Sequence, residues 1–315
     1  MKKNVFPLKG KDIRIAMLGM VEGNGHPYSW SAIFNGYDKK EMEACPYPAI
    51  ADYLSKEPPE SFGIDGAKVT HIWTDDPEDA KKVAKTSLIP NIASEPEDVI
   101  GCVDAVVIAT DKGFEHAERS RPFIEAGIPV FIDKPLTDND TDLDQFCKWH
   151  GMDKPFMSSS CMRYSKEYAP YRMSVNNLGK LRFVSITTPK TWERYGIHAL
   201  EGIYPILGPG FVSVRNTGDA ERNIVHLKHR SGTDVIIAAI SDMYGAFGLL
   251  QLCGTRDSAT AVMKDSFYSF RKQLEEFVTY LRTGNQPFPF SETVEMMKII
   301  IAGIKSREGN TEIQI

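Results

Sequence analysis

The chain has 315 residues, 42% of them hydrophobic, and a formal net charge of −5 with acids and bases interspersed. That length suits two domains better than one, and the mild acidity leaves no broad basic face for a phosphate backbone, so nucleic acid is not an expected partner. No segment approaches a membrane span, no apolar leader follows Met1-Lys2-Lys3, and the five cysteines are scattered with no Cys-x-x-Cys pair; a cytoplasmic protein with reduced thiols is expected, without disulfide framework, metal site or membrane partner.

Ile13 to Leu18 is a branched apolar run that stops at Gly19 and reads as a strand entering a turn; Val69 to Thr74 is the next run of that kind. Pro77 to Thr86 has helical composition, with Asp75 or Asp76 before it as a cap. Asp104 to Thr110 reads as a third buried strand, Phe114 to Ala126 as a helix closed by Gly127, and Val130 to Asp133 as the strand that follows. Strands and helices in alternation predict an α/β unit, a doubly wound parallel sheet, over residues 1–136.

After a helix near Thr141 to His150 the rhythm changes. Leu181 to Thr188, Val212 to Asn216, Asn223 to His229 and Asp234 to Ser241 read as strands in near succession, the last two joined by the turn residues Arg230 to Thr233. They predict an α+β domain over residues 137–315 with a largely antiparallel open sheet. Helices from Ser266 to Thr283, with Phe270, Leu274, Phe277, Val278 and Leu281 on one face, and from Glu292 to Ser306 close the chain.

Open α/β sheets bind ligands beyond the carboxyl ends of their strands. That rule singles out Lys134, in Val130-Phe131-Ile132-Asp133-Lys134-Pro135; the plain alternative is a lysine on a solvated loop. A first strand ending in glycine and a second ending in an acid form the layout of a dinucleotide site, in which Gly19 permits the turn toward a pyrophosphate and Asp75 accepts from ribose hydroxyls. From Gly19 the chain reads Gly-Met-Val-Glu-Gly-Asn-Gly-His, so Val21 and Asn24 stand where a strict G-x-G-x-x-G has glycines; Gly23 and Gly25 serve in a longer loop. A tight turn that binds no nucleotide is the bland reading. Asp75 beside Asp76 would repel a 2′-phosphate, which favours NAD over NADP. The stretch His26 to Gly66, with Tyr28, Trp30, Tyr37 and Tyr47, reads as a loop-rich insertion, either a lid, a partner contact or an excursion packed by its own aromatics.

Taken together, Gly19, Asp75, the strand Asp104 to Thr110, His116 and Asp133-Lys134-Pro135 resemble the Gfo/Idh/MocA oxidoreductase family, as do Gly196-Ile197-His198, Leu207-Gly208 and the two closing helices. The resemblance spans essentially the whole chain. It implies a Rossmann-like domain holding NAD or NADP and a second domain whose open sheet packs against a sister subunit, in a homodimer or homotetramer. The implied reaction is reversible oxidation of a secondary alcohol on a sugar, inositol, or related polyol or sugar acid. Carried over by position, Lys134 and His198 are catalytic. Gly19, Val21, Gly23, Asn24, Asp75, Thr110, His116, Asp133 and Lys134 line the cofactor, and Arg163, Trp192, Arg194 and Tyr195 line the substrate.

Two departures stand out. Asp133 replaces the usual glutamate, and Arg194 stands where the commonest pattern has an aspartate, which removes an acid beside His198 and leaves Glu193 and Glu201 as the near carboxylates. Arg194 with Lys190 and Tyr195 nearby suggests a substrate bearing a carboxylate or phosphate; an arginine facing solvent or a neighbouring subunit is the alternative. Alcohol oxidation needs a base for the hydroxyl proton and positive charge for the developing alkoxide, roles that His198 and Lys134 can fill in that order, or exchanged if the lysine pKa is lowered by its neighbours. His116 otherwise orients its loop, and Arg163 otherwise packs structurally. The rival functions are a non-catalytic nucleotide- or sugar-binding protein on the same fold, and a metal-dependent hydrolase or lyase using His198, Glu201 and His26.

Overall fold

Every residue of Ala105–Ile108 and Val130–Ile132 is buried, as strands covered on both faces must be. The structure, a computed structural model, describes residues 6–10 and 12–315; the amino-terminal stretch Met1 to Val5 read above lies outside the described residues. The first sheet contains β1 (Ile13–Leu18), β2 (Ala67–Trp73), β3 (Asn91–Ile92), β4 (Ala105–Ile108), β5 (Val130–Ile132) and β6 (Phe156–Ser158). Its order is β3-β2-β1-β4-β5-β6, with every pairing parallel. The strand order reverses between β1 and β4, and that reversal opens a crevice at their carboxyl ends.

The expected division at residue 136 falls inside this unit, because α6 (Asp140–Gly151) and β6 follow it and β6 pairs with β5. With only two apolar residues, Phe156 and Met157, β6 is too short a pattern to read as a strand from the sequence. The expected loop-rich insertion is helical instead: α1 (His26–Asn35), α2 (Lys39–Glu43) and α3 (Pro48–Ser55). Pro27 and Pro48 sit in first turns, where a missing N–H costs nothing. Tyr28, Trp30 and Phe34 are buried in the core rather than hung over the crevice. The remaining crossovers are α4 (Pro77–Thr86), capped by Asp76, and α5 (His116–Glu125).

The second sheet contains β7 (Leu181–Pro189), β8 (Phe211–Asn216), β9 (Arg222–His229), β10 (Asp234–Ile240), β11 (Leu249–Gly254), β12 (Ser258–Val262) and β13 (Ile313–Gln314), in the order β12-β11-β7-β10-β9-β8-β13. Only β7 and β10 run parallel. Val225, Leu227, Val235, Ile237 and Ala239 point to one face, packed beneath α8 (Trp192–Leu207) and α10 (Phe290–Gly309). Val212, Ile224 and Leu249 lie exposed on the sheet. Helix α9 (Ser266–Thr283) runs against α1 and α3 of the first domain, while α7 (Ala169–Ser174) packs on α8. Among the described residues no helix is long and apolar enough to cross a membrane.

Trp192 corrects one expectation. Its side chain is fully buried, its indole N–H donates to the Ile300 carbonyl of α10 at 2.9 Å, and added Cβ atoms at Gly196 and Gly303 would fall 2.5 and 2.3 Å from its ring. It therefore fastens α8 to α10 and does not face the cleft. Trp192→Phe is expected to cost about 1–2 kcal/mol through the lost indole N–H bond and lost volume, read from urea denaturation.

Candidate active site at the strand-order switch point

Beyond β1 the chain turns at Gly19, whose φ of +87° and 2.7 Å clearance to Thr110 Cγ2 exclude a side chain. Among the described residues, the backbone amides of Val21, Glu22 and Gly23 have no hydrogen-bond acceptor. The start of α1 is different. The His26 amide donates to Asn24 Oδ1, Pro27 has no N–H, and the Tyr28 amide donates to the Gly25 carbonyl. The anion-seeking donors thus lie in the loop and not on the helix terminus.

Asp75 follows β2 and accepts from Arg119 at 2.6 Å and from the Met20 amide at 3.4 Å, which ties it to the same turn. Beside it opens a cavity of about 450 Å³ with an apolar side formed by Leu18, Trp73, Ile108, Phe114 and Phe123, and with Glu97, Glu115, Glu118 and Arg119 also lining it. An apolar side, a carboxylate at the rim and three free amides across the turn are what an adenine, a ribose and a pyrophosphate require. The residues present fit a dinucleotide.

Lys134 follows β5 across a cis peptide to Pro135 and is 1% exposed. Its Nζ lies 3.4 Å from Asp111 Oδ2, and Arg194 Nη2 donates to Asp111 Oδ1 at 2.6 Å. Burial would raise the Asp111 carboxyl, but the charges of Lys134 and Arg194 prevail and hold it well below the usual carboxylate range. Burial likewise opposes the Lys134 charge, yet Asp111 and Asp133 keep its pKa raised, so Lys134 is a cation and the exchanged role, lysine as base, loses its premise. Lys134 Nζ and Lys190 Nζ lie 4.5 and 4.3 Å from the Tyr195 ring centroid, and burial pushes the Tyr195 phenol up to about 12. Arg194 also donates to the Glu22 carbonyl and Lys190 to that of Gly23, at 3.1 and 2.7 Å, so α8 and the loop before it reach across to the glycine turn.

The Tyr195 and His198 rings meet edge to face at 4.6 Å. His198 Nδ1 shares a 2.6 Å hydrogen bond with Ser160 Oγ, and Nε2 has no hydrogen-bond partner among the described residues. Burial first, then the charge of Lys134, holds the imidazole well below its ordinary pKa, in the neutral form a base must have. Glu201 accepts from the Ser160 amide and from Arg163, and Arg163 also pairs with Glu292 at 2.9 Å and stacks on Phe288. Arg163 therefore anchors the segment that holds His198, while its Nη2 is buried without a hydrogen-bond partner among the described residues. With Glu201 occupied by an arginine, the metal-site rival has lost a ligand; among the described residues no group of three or more His, Cys, Asp or Glu is arranged to hold a metal ion.

Asp133 is buried and accepts from His26 Nδ1 at 2.6 Å, Asn24 Nδ2 at 3.1 Å and the Lys134 amide at 2.7 Å. Asn24 also donates to the Ala109 carbonyl at 3.0 Å. Both ring nitrogens of His116 rest on carbonyl oxygens, of Pro135 and Thr110, at 2.8 and 2.9 Å. Asn24, Asp133 and His116 thus lock the β1, β4 and β5 loops together and offer no free group to a cofactor, which corrects their expected contact role. Asp111, Ser160 and the His26–Asp133 pair went unread. For Asp111 a signal existed, since it stands three residues past the end of β4, where strand-end chemistry collects.

A family model described as an oxidoreductase family with an NAD-binding Rossmann fold matches residues 51–150. Among solved structures, myo-inositol 2-dehydrogenase from Lactobacillus plantarum superposes with a TM-score of 0.76 at 16% identity, covering 97% of this chain and 100% of that one. Apo scyllo-inositol dehydrogenase from Lactobacillus casei gives 0.77 at 14% identity, covering 97% and 99%. Its form with bound NAD(H) and scyllo-inositol gives 0.72 at 14% identity, covering 96% and 99%. Comparison with curated proteins yields no match. The matched segment runs from α3 to α6 of the parallel-sheet unit, and over its length the chain is similar in fold to these dehydrogenases.

Proposed function

We propose that the chain is an NAD-dependent dehydrogenase acting on a secondary alcohol of a polyol, sugar or sugar acid. The observation that carries this is the packing of a buried lysine cation and a neutral histidine on one tyrosine ring, Lys134 at 4.5 Å and His198 at 4.6 Å, beyond the carboxyl end of β5. The glycine turn and the Asp75 rim would hold NAD, whose nicotinamide would supply the acceptor for the hydride leaving the alcohol carbon. His198 Nε2 takes the hydroxyl proton, and Lys134 stabilises the negative charge growing on the oxygen, so the alcohol becomes a ketone. Ser160 fixes the imidazole through Nδ1. Asp111 sets the lysine, supplying from the loop after β4 the carboxylate that α8 lacks.

Arg119 is neutralised by Asp75 and Glu115, and Asp76 caps α4, so no cation at the rim is free to receive a 2′-phosphate. NADH is expected to bind at least about tenfold more tightly than NADPH, a difference of about 1.4 kcal/mol, measured by nucleotide fluorescence. The reading is tested by incubating the protein with NAD and inositols, sugars and sugar acids and following the near-ultraviolet absorbance of NADH. Reduction that His198→Asn suppresses supports it; tight NADH binding with no reduction on any alcohol favours the non-catalytic binding protein. The open face of the second sheet, with Val212, Ile224 and Leu249 exposed, suits the expected homodimer or homotetramer, which sedimentation would test.

A further inference from the structure

We propose that the substrate carries an acidic group, a carboxylate or a phosphate ester, gripped by Lys190 and Arg194. This rests on the dehydrogenase reading and narrows its substrate. Lys190 links β7 to α8 in the left-handed backbone region, with φ +60°, a conformation that costs a non-glycine residue about 1 kcal/mol or more. From there its ammonium crosses to the glycine turn, donates to the Gly23 carbonyl, and meets no carboxylate at ion-pair distance among the described residues.

Arg194 is similarly short of acceptors. One terminal nitrogen serves Asp111 and the Glu22 carbonyl, while its Nε is buried without any partner. A buried N–H with no acceptor carries a desolvation cost that a ligand oxygen would remove. The charges do not balance either. Lys134, Lys190 and Arg194 converge on Tyr195 and Asp111, and the other nearby carboxylate, Asp133, is engaged by His26, Asn24 and the Lys134 amide. Burial and then Lys134 push the Lys190 ammonium down to about 8, as happens to a cation lacking negative company.

A neutral polyol would leave that excess positive charge uncompensated. A carboxylate or phosphate would accept from the idle edge of the Arg194 guanidinium and from the two remaining hydrogens of Lys190. The same chemistry could come from the cofactor's own pyrophosphate, since both cations touch the turn that would hold it. Separating the two sources is the purpose of the test.

The protein saturated with NADH is titrated calorimetrically with matched pairs: glucose against glucuronate, gluconate and glucose 6-phosphate, and myo-inositol against an inositol monophosphate. The wild type, Lys190→Met and Arg194→Gln are compared, and the NADH dissociation constant is measured for each. The expected result is at least about tenfold tighter binding of one acid than of its neutral partner, lost in both variants, with NADH affinity held within twofold; which acid binds tells carboxylate from phosphate. Equal or weaker binding of every acid overturns the proposal, whether or not any compound is oxidised. Loss of NADH affinity in the variants with no change toward sugars overturns it as well, assigning the cations to the pyrophosphate. Failure of the wild type to bind NADH would instead remove the dehydrogenase reading itself.

Discussion

Replacing Lys134 with methionine is expected to lower kcat by about a thousandfold, the scale seen when a preorganised charge at a developing oxyanion is removed, while NADH still binds. Methionine nearly matches the lysine stem in length and suits a buried pocket. Asp111 keeps Arg194 at 2.6 Å, so the carboxylate is not stranded and the fold is retained. Steady-state kinetics on the substrate found by the screen, alongside NADH binding and a melting curve, would separate these effects. A variant that keeps a tenth of the activity would mean that Lys134 does not stabilise the alkoxide.

Asp111→Ala is expected to cost about 3–5 kcal/mol of stability, because it leaves the buried cation of Lys134 without its carboxylate. The contribution has a definite pH dependence. The carboxyl is held below its ordinary value in the folded chain, so its stabilising share is complete above about pH 4, the unfolded value, and is lost as acid drives the pH down through the folded one. Urea denaturation of wild type and variant should therefore differ most near neutrality and converge in strong acid. Lys134→Met combined with Asp111→Ala should recover part of the loss, since no unpaired lysine remains. If Asp111→Ala alone is as stable as the wild type, Lys134 has another partner.

The sequence made the strand-end positions legible and left the helix faces obscure. Val130 to Ile132 is apolar without a break, so Lys134 could be placed past the carboxyl end of a buried strand from the residues alone. On α8, nearness in sequence misled. Arg194, Tyr195 and His198 are spaced by three and four residues and share the cleft face, whereas Trp192 and Gly196 share another that packs on α10. The grouping was available from helical periodicity; which group met the core depended on Gly303, a contact more than a hundred residues away. Asn24 and His116 were misassigned for a related reason. Both sit near the crevice in sequence, but the Asn24 amide nitrogen is taken by the Ala109 carbonyl and the Asp133 carboxylate, and the His116 ring by two carbonyls, groups that only the folded sheet brings near. The pairing of charge at the site also escaped the sequence, because the carboxylate that meets Arg194, Asp111, comes from the loop after β4, far from α8 in the chain.

The most direct test of the account is a titration of the nucleotide-free protein with NADH, following energy transfer from tryptophan to the nicotinamide, with Trp73 in the wall of the crevice as a near donor. The account predicts saturable binding that Asp75→Ala weakens by about tenfold, the loss of hydrogen bonds to a charged acceptor, and that Trp192→Phe leaves unchanged. No saturable binding, or binding indifferent to Asp75, would contradict it.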